Sequence, residues 1–253
     1  MTAVPLPSRS VALRPLALPA EHGGWGLLFE PIVLGLLAVA SWSGVLVAIA
    51  AVFAFLARHP LKLALQDAMR GRRVPRTPYC QALAAAYLLG GAVSLSAAAA
   101  IGGTRMLAPF VLAAPLAIAQ LVYDGNGRGR ALAAEIGGAV AMSSVCASIV
   151  LAGGMLVTVA YGLAGIVIAR SVPAILYVRA LLGRLPRSWA LAVHAAAVLA
   201  VAVYASRLAV VAMIVLLLRA VWAFAHEPPR ARTIGWREIV FGAITVGLVA
   251  ASL

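Results

Sequence analysis

The chain has 253 residues, of which 64% are hydrophobic and only 11% charged, with a mean hydropathy of +1.04; water cannot solvate such a surface, which excludes a soluble enzyme or binding domain and predicts an all-α polytopic membrane bundle. The formal net charge is +13, but the basic residues are scattered between apolar blocks and no solvated domain carries them. That pattern fixes membrane topology and meets anionic headgroups, and it argues against nucleic acid as a partner.

Residues 1–20 read as a short disordered tail. Arg9 and Arg14 give it a basic flank, while Pro5, Pro7, Pro15 and Pro19 interrupt any apolar run, so it is not a cleavable signal peptide. From residue 21 to 253 the chain reads as one transmembrane domain of about nine spans. The apolar blocks fall near 23–41, 44–58, 81–102, 105–123, 134–153, 155–177, 188–205, 207–225 and 235–253. Most have the roughly 20 residues needed to cross a bilayer.

The first block opens on LPAEHGGWGLLFEP. Glu21 and His22 stand at its mouth. Glu30 lies about two turns deeper and precedes Pro31, whose kink turns it inward. The second block is short in its apolar part and runs on through Pro60 as an amphipathic helix. The stretch that follows, RHPLKLALQDAMRGRRVPRTP, is the richest in polar groups. His59, Leu63 and Asp67 share one face, and the spacing pairs Asp67 with Arg70. Gly71 ends the helix, and Pro75 and Pro78 stop its resumption. Two readings compete here. Arg70, Arg72, Arg73 and Arg76 form an anion-binding loop with Asp67 orienting one of them, or they form a topogenic loop resting on anionic lipid. Charge alone favours the second, yet topology has no use for Asp67.

Blocks three and four form a tight hairpin across Gly-Gly-Thr-Arg. After them comes YDGNGRGRALAAE, in which Asp124 belongs to turn chemistry. The glycines beside Arg128 and Arg130 can equally bring backbone amides to a phosphate. No Walker pattern is present. In block five, Glu135 stands one turn before Ala139, Ser143 and Ala147, a small-residue stripe that lets helix backbones approach. Glu135 either complements the helix dipole or meets an arginine inside the bundle. In block six, Pro173 predicts a kink, and Arg170 and Tyr177 share a face two turns apart. Arg170 needs a carboxylate, for which Glu135 and Asp67 are the candidates. His194, in block seven, is expected to bond a neighbouring helix. His226 and Glu227 precede Pro228 and Pro229 in a loop.

All but Arg105 and Arg207 of the 20 basic residues lie on alternate connections. This asymmetry predicts a bacterial inner-membrane protein with a cytoplasmic N-terminus and an external C-terminus. The seven acids fall on or near the same cytoplasmic side. Trp25, Trp42, Trp189, Trp222 and Trp236 lie near block ends, where an interfacial belt belongs. Cys80 and Cys146 are expected at different depths and unpaired. No metal-ligand spacing appears, and the sequence calls for no cofactor.

The Glu21-His22-Gly23-x-Trp25 motif after a proline, the basic loop around Asp67, and the Tyr-Asp…Glu-Ile-Gly-Gly-x-x-Ala-x-Ser stretch together resemble the YwiC-like family of bacterial membrane proteins. That resemblance covers most of the chain and implies class and location, without a mechanism. A weaker likeness is to UbiA-type intramembrane prenyltransferases, which implies a prenyl diphosphate held by aspartates and magnesium. Here Asp67 is the only acid of the first such loop and the second has none, so the resemblance implies that the metal chemistry is lost and that arginines hold the anion. The reading these features favour is a cytoplasm-facing cavity for an anionic lipid or an isoprenoid diphosphate-like ligand. Glu21, His22, Asp67, Arg70, Glu135 and Arg170 are expected to line it, with Glu30, Arg73, Asp124 and Tyr177 as further candidates. A small-solute or ion transporter, and a non-catalytic assembly partner of a membrane complex, are the alternatives.

Overall fold

The computed structural model describes residues 13–18, 22–71 and 74–253, with His22 and Gly23 as helical backbone only. Each apolar block holds one helix. A short α1 (Arg14–Ala17) is followed by α2 (His22–Ala38), α3 (Trp42–Met69), α4 (Thr77–Gly102), a 3₁₀ turn (Thr104–Leu107), α5 (Ala108–Gly125), α6 (Leu132–Ala152), α7 (Val157–Leu181), α8 (Arg187–Tyr204), α9 (Arg207–Phe224) and α10 (Ala231–Ala250). There is no strand among the described residues. Eight helices, α3 to α10, are long and apolar enough to cross a membrane. The 17 residues of α2 rise about 25 Å, just short of a hydrocarbon core of about 30 Å.

Local chemistry sets the boundaries. The Ser41 side chain caps α3 by accepting the Gly44 N–H at 3.0 Å. Pro60 sits buried inside α3, whose 28 residues run unbroken past it. The helix stops where Gly71 turns at φ 62°, a conformation glycine adopts without strain. Pro78, whose missing N–H costs nothing at a helix start, opens α4.

The hub is α6, which packs on α2, α3, α5 and α7. Its apolar stretch is 67% buried, against 11% for α4 and for α5. Ala139, Ser143 and Ala147 are all buried, as their spacing predicts. Close approach is visible at Gly35 of α2: a Cβ there would stand 3.0 Å from Ile149 and 3.3 Å from the Cys146 carbonyl. Leu28, Leu34, Val47, Ile149, Val150 and Met213 form one apolar core across α2, α3, α6 and α9. The outward faces of α4 and α5 carry exposed Leu89, Val93, Val111, Leu112 and Ile118. In lipid such faces are already solvated.

Trp42, Trp189, Trp222 and Trp236 are exposed. Trp25 differs, because its ring packs on Phe55 at 4.9 Å. Cys80 and Cys146 are both free and buried. His194 is buried, but its Nδ1 meets the Ala190 carbonyl of its own helix at 2.8 Å, not a neighbouring helix as expected. One turn of helix brings that carbonyl within reach of the ring.

Candidate functional site

The acids do not pair with the arginines nearest in sequence. Asp67 accepts from Arg76 at 2.7 and 3.2 Å and from the Thr77 hydroxyl at 3.0 Å. The predicted partner, Arg70, is exposed instead. It is the residue at which α3 ends, so the helical spacing that would align it with Asp67 stops there, and the turn at Gly71 carries Arg76 back. The Asp67 carboxylate holds the Arg76 guanidinium above its ordinary value.

Asp124 is fully buried and is no turn cap. Arg58 of α3 grips it with Nε and Nη2 at 2.8 and 3.2 Å, and Gln66 donates to its backbone carbonyl at 2.8 Å. A Cβ at Gly129 would fall 2.0 Å from the Asp124 carboxylate, so the following loop can close only over a glycine. Glu135 does meet an arginine, but it is Arg179, at 2.7 Å. Arg179 also donates to the Arg130 carbonyl, tying the end of α7 to the loop before α6.

Arg170 lies near the middle of α7 and is 4% exposed. Its carboxylates are Glu30, at 3.2 Å, and Glu238, at 3.3 Å, in place of the Glu135 and Asp67 expected of it. It also donates to the Glu238 carbonyl at 2.8 Å. Arg219 completes the group at 2.5 Å from Glu238, and its guanidinium stacks on Tyr177 at 4.2 Å and Phe241 at 4.6 Å. Two guanidinium groups and two carboxylates thus balance inside the bundle, where an unpaired charge is expensive. Gly242 makes the room, since a Cβ there would lie 2.0 Å from Glu30 Oε1.

Of these groups, Glu30, Arg58, Glu135, Arg170, Arg179 and Glu238 border one cavity of about 850 Å³ between α2, α3, α5, α6, α7 and α10. Its walls are mostly apolar, with Phe55, Phe110, Leu121, Met142 and Val145 among them. One end is basic: Arg58, Arg130, Arg179 and Arg184 gather there with Glu135. Arg58 and Arg179 already hold carboxylates. The side chains of Arg130 and Arg184 have no partner among the described residues. Deeper, Glu30, Arg170 and Glu238 form a polar patch.

Of the candidates from sequence, Glu30, Glu135 and Arg170 line this cavity. Asp67, Arg70, Asp124 and Tyr177 do not, although Asp124 holds the lining Arg58; Tyr177 stacks on Arg219, which is itself outside the lining. Glu21, Arg73 and the His22 side chain lie outside the described residues. Sequence reasoning passed over Arg58, Gln120, Arg179, Arg184 and Glu238 as site residues. Gln120 carried the clearest signal, being a lone carboxamide in an otherwise apolar span. No cluster of three or more metal-ligating side chains exists among the described residues.

A helical bundle with eight helices long and apolar enough to cross a membrane, around a charge-lined cavity, defines a polytopic integral membrane protein. Residues 18–152 match the family described as YwiC-like protein, and the chain belongs to that family. The match ends with α6, so it holds Glu30, Asp67, Asp124 and Glu135 while Arg170, Arg179 and Glu238 lie beyond it. No curated protein and no solved structure matches the chain, so the likeness to UbiA-type enzymes gains no support there.

Proposed function

We propose that this protein is a bacterial inner-membrane binder of an anionic amphiphile, either an anionic lipid or an isoprenoid diphosphate-like molecule. The observation that carries the reading is the cavity, whose apolar walls end in Arg130 and Arg184, two arginines without a carboxylate among the described residues. An apolar tail gains by filling such a space, and a phosphate gains two charge-assisted, geometrically matched donors. The other two arginines at that end are already neutralised, so the surplus of positive charge suits a dianionic head. Binding of this kind does not require a metal, because guanidinium groups supply the positive charge.

The test is binding by the purified protein to hexadecyl phosphate and to a phosphocholine of equal chain length. The phosphate is expected to bind at least tenfold more tightly, with or without a chelator. Arg130→Ala and Arg184→Ala should each lower its affinity about tenfold, as loss of a charge-assisted contact predicts. Equal affinity for the two amphiphiles, or full affinity in the double variant, refutes the reading.

A solute path is the second reading, and Glu30 with Arg170 favours it. Both lie near the middle of their helices, where transporters place coupling groups. Proteoliposome flux that depends on Glu30 would move the protein to that class.

A further inference from the structure

Helices α4 and α5 are joined by a single 3₁₀ turn, a connection that ordinarily packs two antiparallel helices side by side. Here they splay. No Cα of α4 lies within 8 Å of one of α5. α4 leans on α3 and meets α6 at its C-terminal end, where a Cβ at Gly102 would stand 2.7 Å from the Ala152 carbonyl. α5 is tied to α3 at the opposite end. There Arg58 and Gln66 bond Asp124, and a Cβ at Gly125 would lie 3.5 Å from Leu65 Cβ.

Between these ties the gap stays open, and the cavity runs into it. Leu88 lines the cavity, although no other residue of α4 does, and it is 49% exposed. Ala54 of α3 and Ala117 of α5 line the cavity and are exposed as well. The depths agree. α3 and α5 run in the same direction, and eleven residues back from Leu65 and from Gly125 stand Ala54 and Ala114, each about 16 Å from the tie. On α4, a Cβ at Gly91 would lie 3.5 Å from Phe53 Cβ, which puts Leu88 within a turn of Ala54. Small residues facing one another in a bilayer normally let helices close. Here the helices stay apart, and the rim formed by Ala54, Leu88, Ala114 and Ala117 is apolar throughout.

We propose that this gap is a lateral opening through which the hydrocarbon tail of the bound amphiphile leaves the cavity and lies between α4 and α5 in the bilayer. Continuity with the cavity selects that occupant. A tail that fills the apolar space from a head at Arg130 and Arg184 meets no wall at the rim. A closed cavity would limit tail length, and this one sets no limit. The ligand class is therefore a membrane-resident lipid phosphate, which loads without its tail leaving hydrocarbon. This rests on the reading of the basic end as a phosphate site.

The experiment uses hexadecyl phosphate with a diazirine on its last carbon, whose extended tail is longer than the span from the tie to the opening. The full chain in lipid nanodiscs is irradiated below saturation, and labelled residues are read by peptide mass spectrometry. Wild type should be labelled on α4 around Leu88 and on α5 around Ala117. The Arg130→Ala/Arg184→Ala double variant should lower that labelling about tenfold, in step with the lost affinity for the head. Ala117→Trp, whose ring fills the opening, should lower the α4 label about fivefold and move it to Met142 and Val145 on the inner wall. Leu218→Trp, on the exposed face of α9 and outside the cavity, should label as wild type does. Wild-type label confined to α6 and α7 overturns the opening and leaves the phosphate site standing, as does an α4 label undiminished in Ala117→Trp. An α4 label that the double arginine variant does not lower marks bulk lipid only and overturns the opening too. If calorimetry shows that hexadecyl phosphate does not bind wild type, the phosphate site and the opening fall together.

Discussion

At the scale of single residues, the organising fact is that several carboxylates inside the bundle reach arginines far away in the chain. Asp124 and Arg58 are separated by 66 residues, Glu30 and Arg170 by 140. Removing one member of a buried pair strands the other, which is more damaging than removing both. Asp124 is fully enclosed, so Asp124→Leu should lower stability by about 3 kcal/mol. Arg58 keeps some solvent access, so Arg58→Met should cost less, and adding it to Asp124→Leu should restore part of the loss. Thermal unfolding in detergent measures all three variants. Strict additivity would show that the pair carries no coupling. The same fact limits what the sequence tells a reader. It asks for a carboxylate beside Arg170 and leaves Glu135 either complementing the helix dipole or meeting an arginine. It cannot choose partners, because local spacing speaks only within one helix. Where that rule was applied, to Asp67 and Arg70, the end of the helix defeated it.

At the scale of elements, glycine and alanine decide where helices touch. The stripe on α6 was legible because four-residue spacing is a property of one helix. The facing residue on α2 was not, because Gly35 declares itself only once Ile149 stands against it. Gly35→Val should force α2 off α6, at about 1–3 kcal/mol for overpacking. Because Gly24, Gly26 and Leu27 make α2 a wall of the cavity, phosphate-amphiphile binding should weaken in the same variant. Gly247→Ala is the control. It meets nothing within 4 Å, and alanine is the better helix former, so stability should hold or rise slightly. Parallel melting curves of the two variants are the measurement. A neutral Gly35→Val would mean that the α2–α6 contact is loose.

At the scale of the whole molecule, composition and charge alternation foretold a bundle and one helix per block, since both follow from the bilayer and need no tertiary contact. They also predict which way the cavity faces. The basic end is built from Arg58 in the second half of α3, the loop before α6, the end of α7 and the loop that follows it. By the positive-inside rule that end is expected to meet the cytoplasm, and the proposed amphiphile to enter from the inner leaflet. The two ends of α5 test this within a single helix. Thr104 and Asn126 are both exposed, and the native cysteines are buried, so single cysteines at these positions report cleanly. In intact spheroplasts, a membrane-impermeant maleimide should label Thr104→Cys. Asn126→Cys should react only after permeabilisation. The reverse pattern would place the arginines outside and the cavity mouth in the outer leaflet. Labelling of both positions from one side would mean that α5 does not span the membrane, and the nine-block alternation would fall with it.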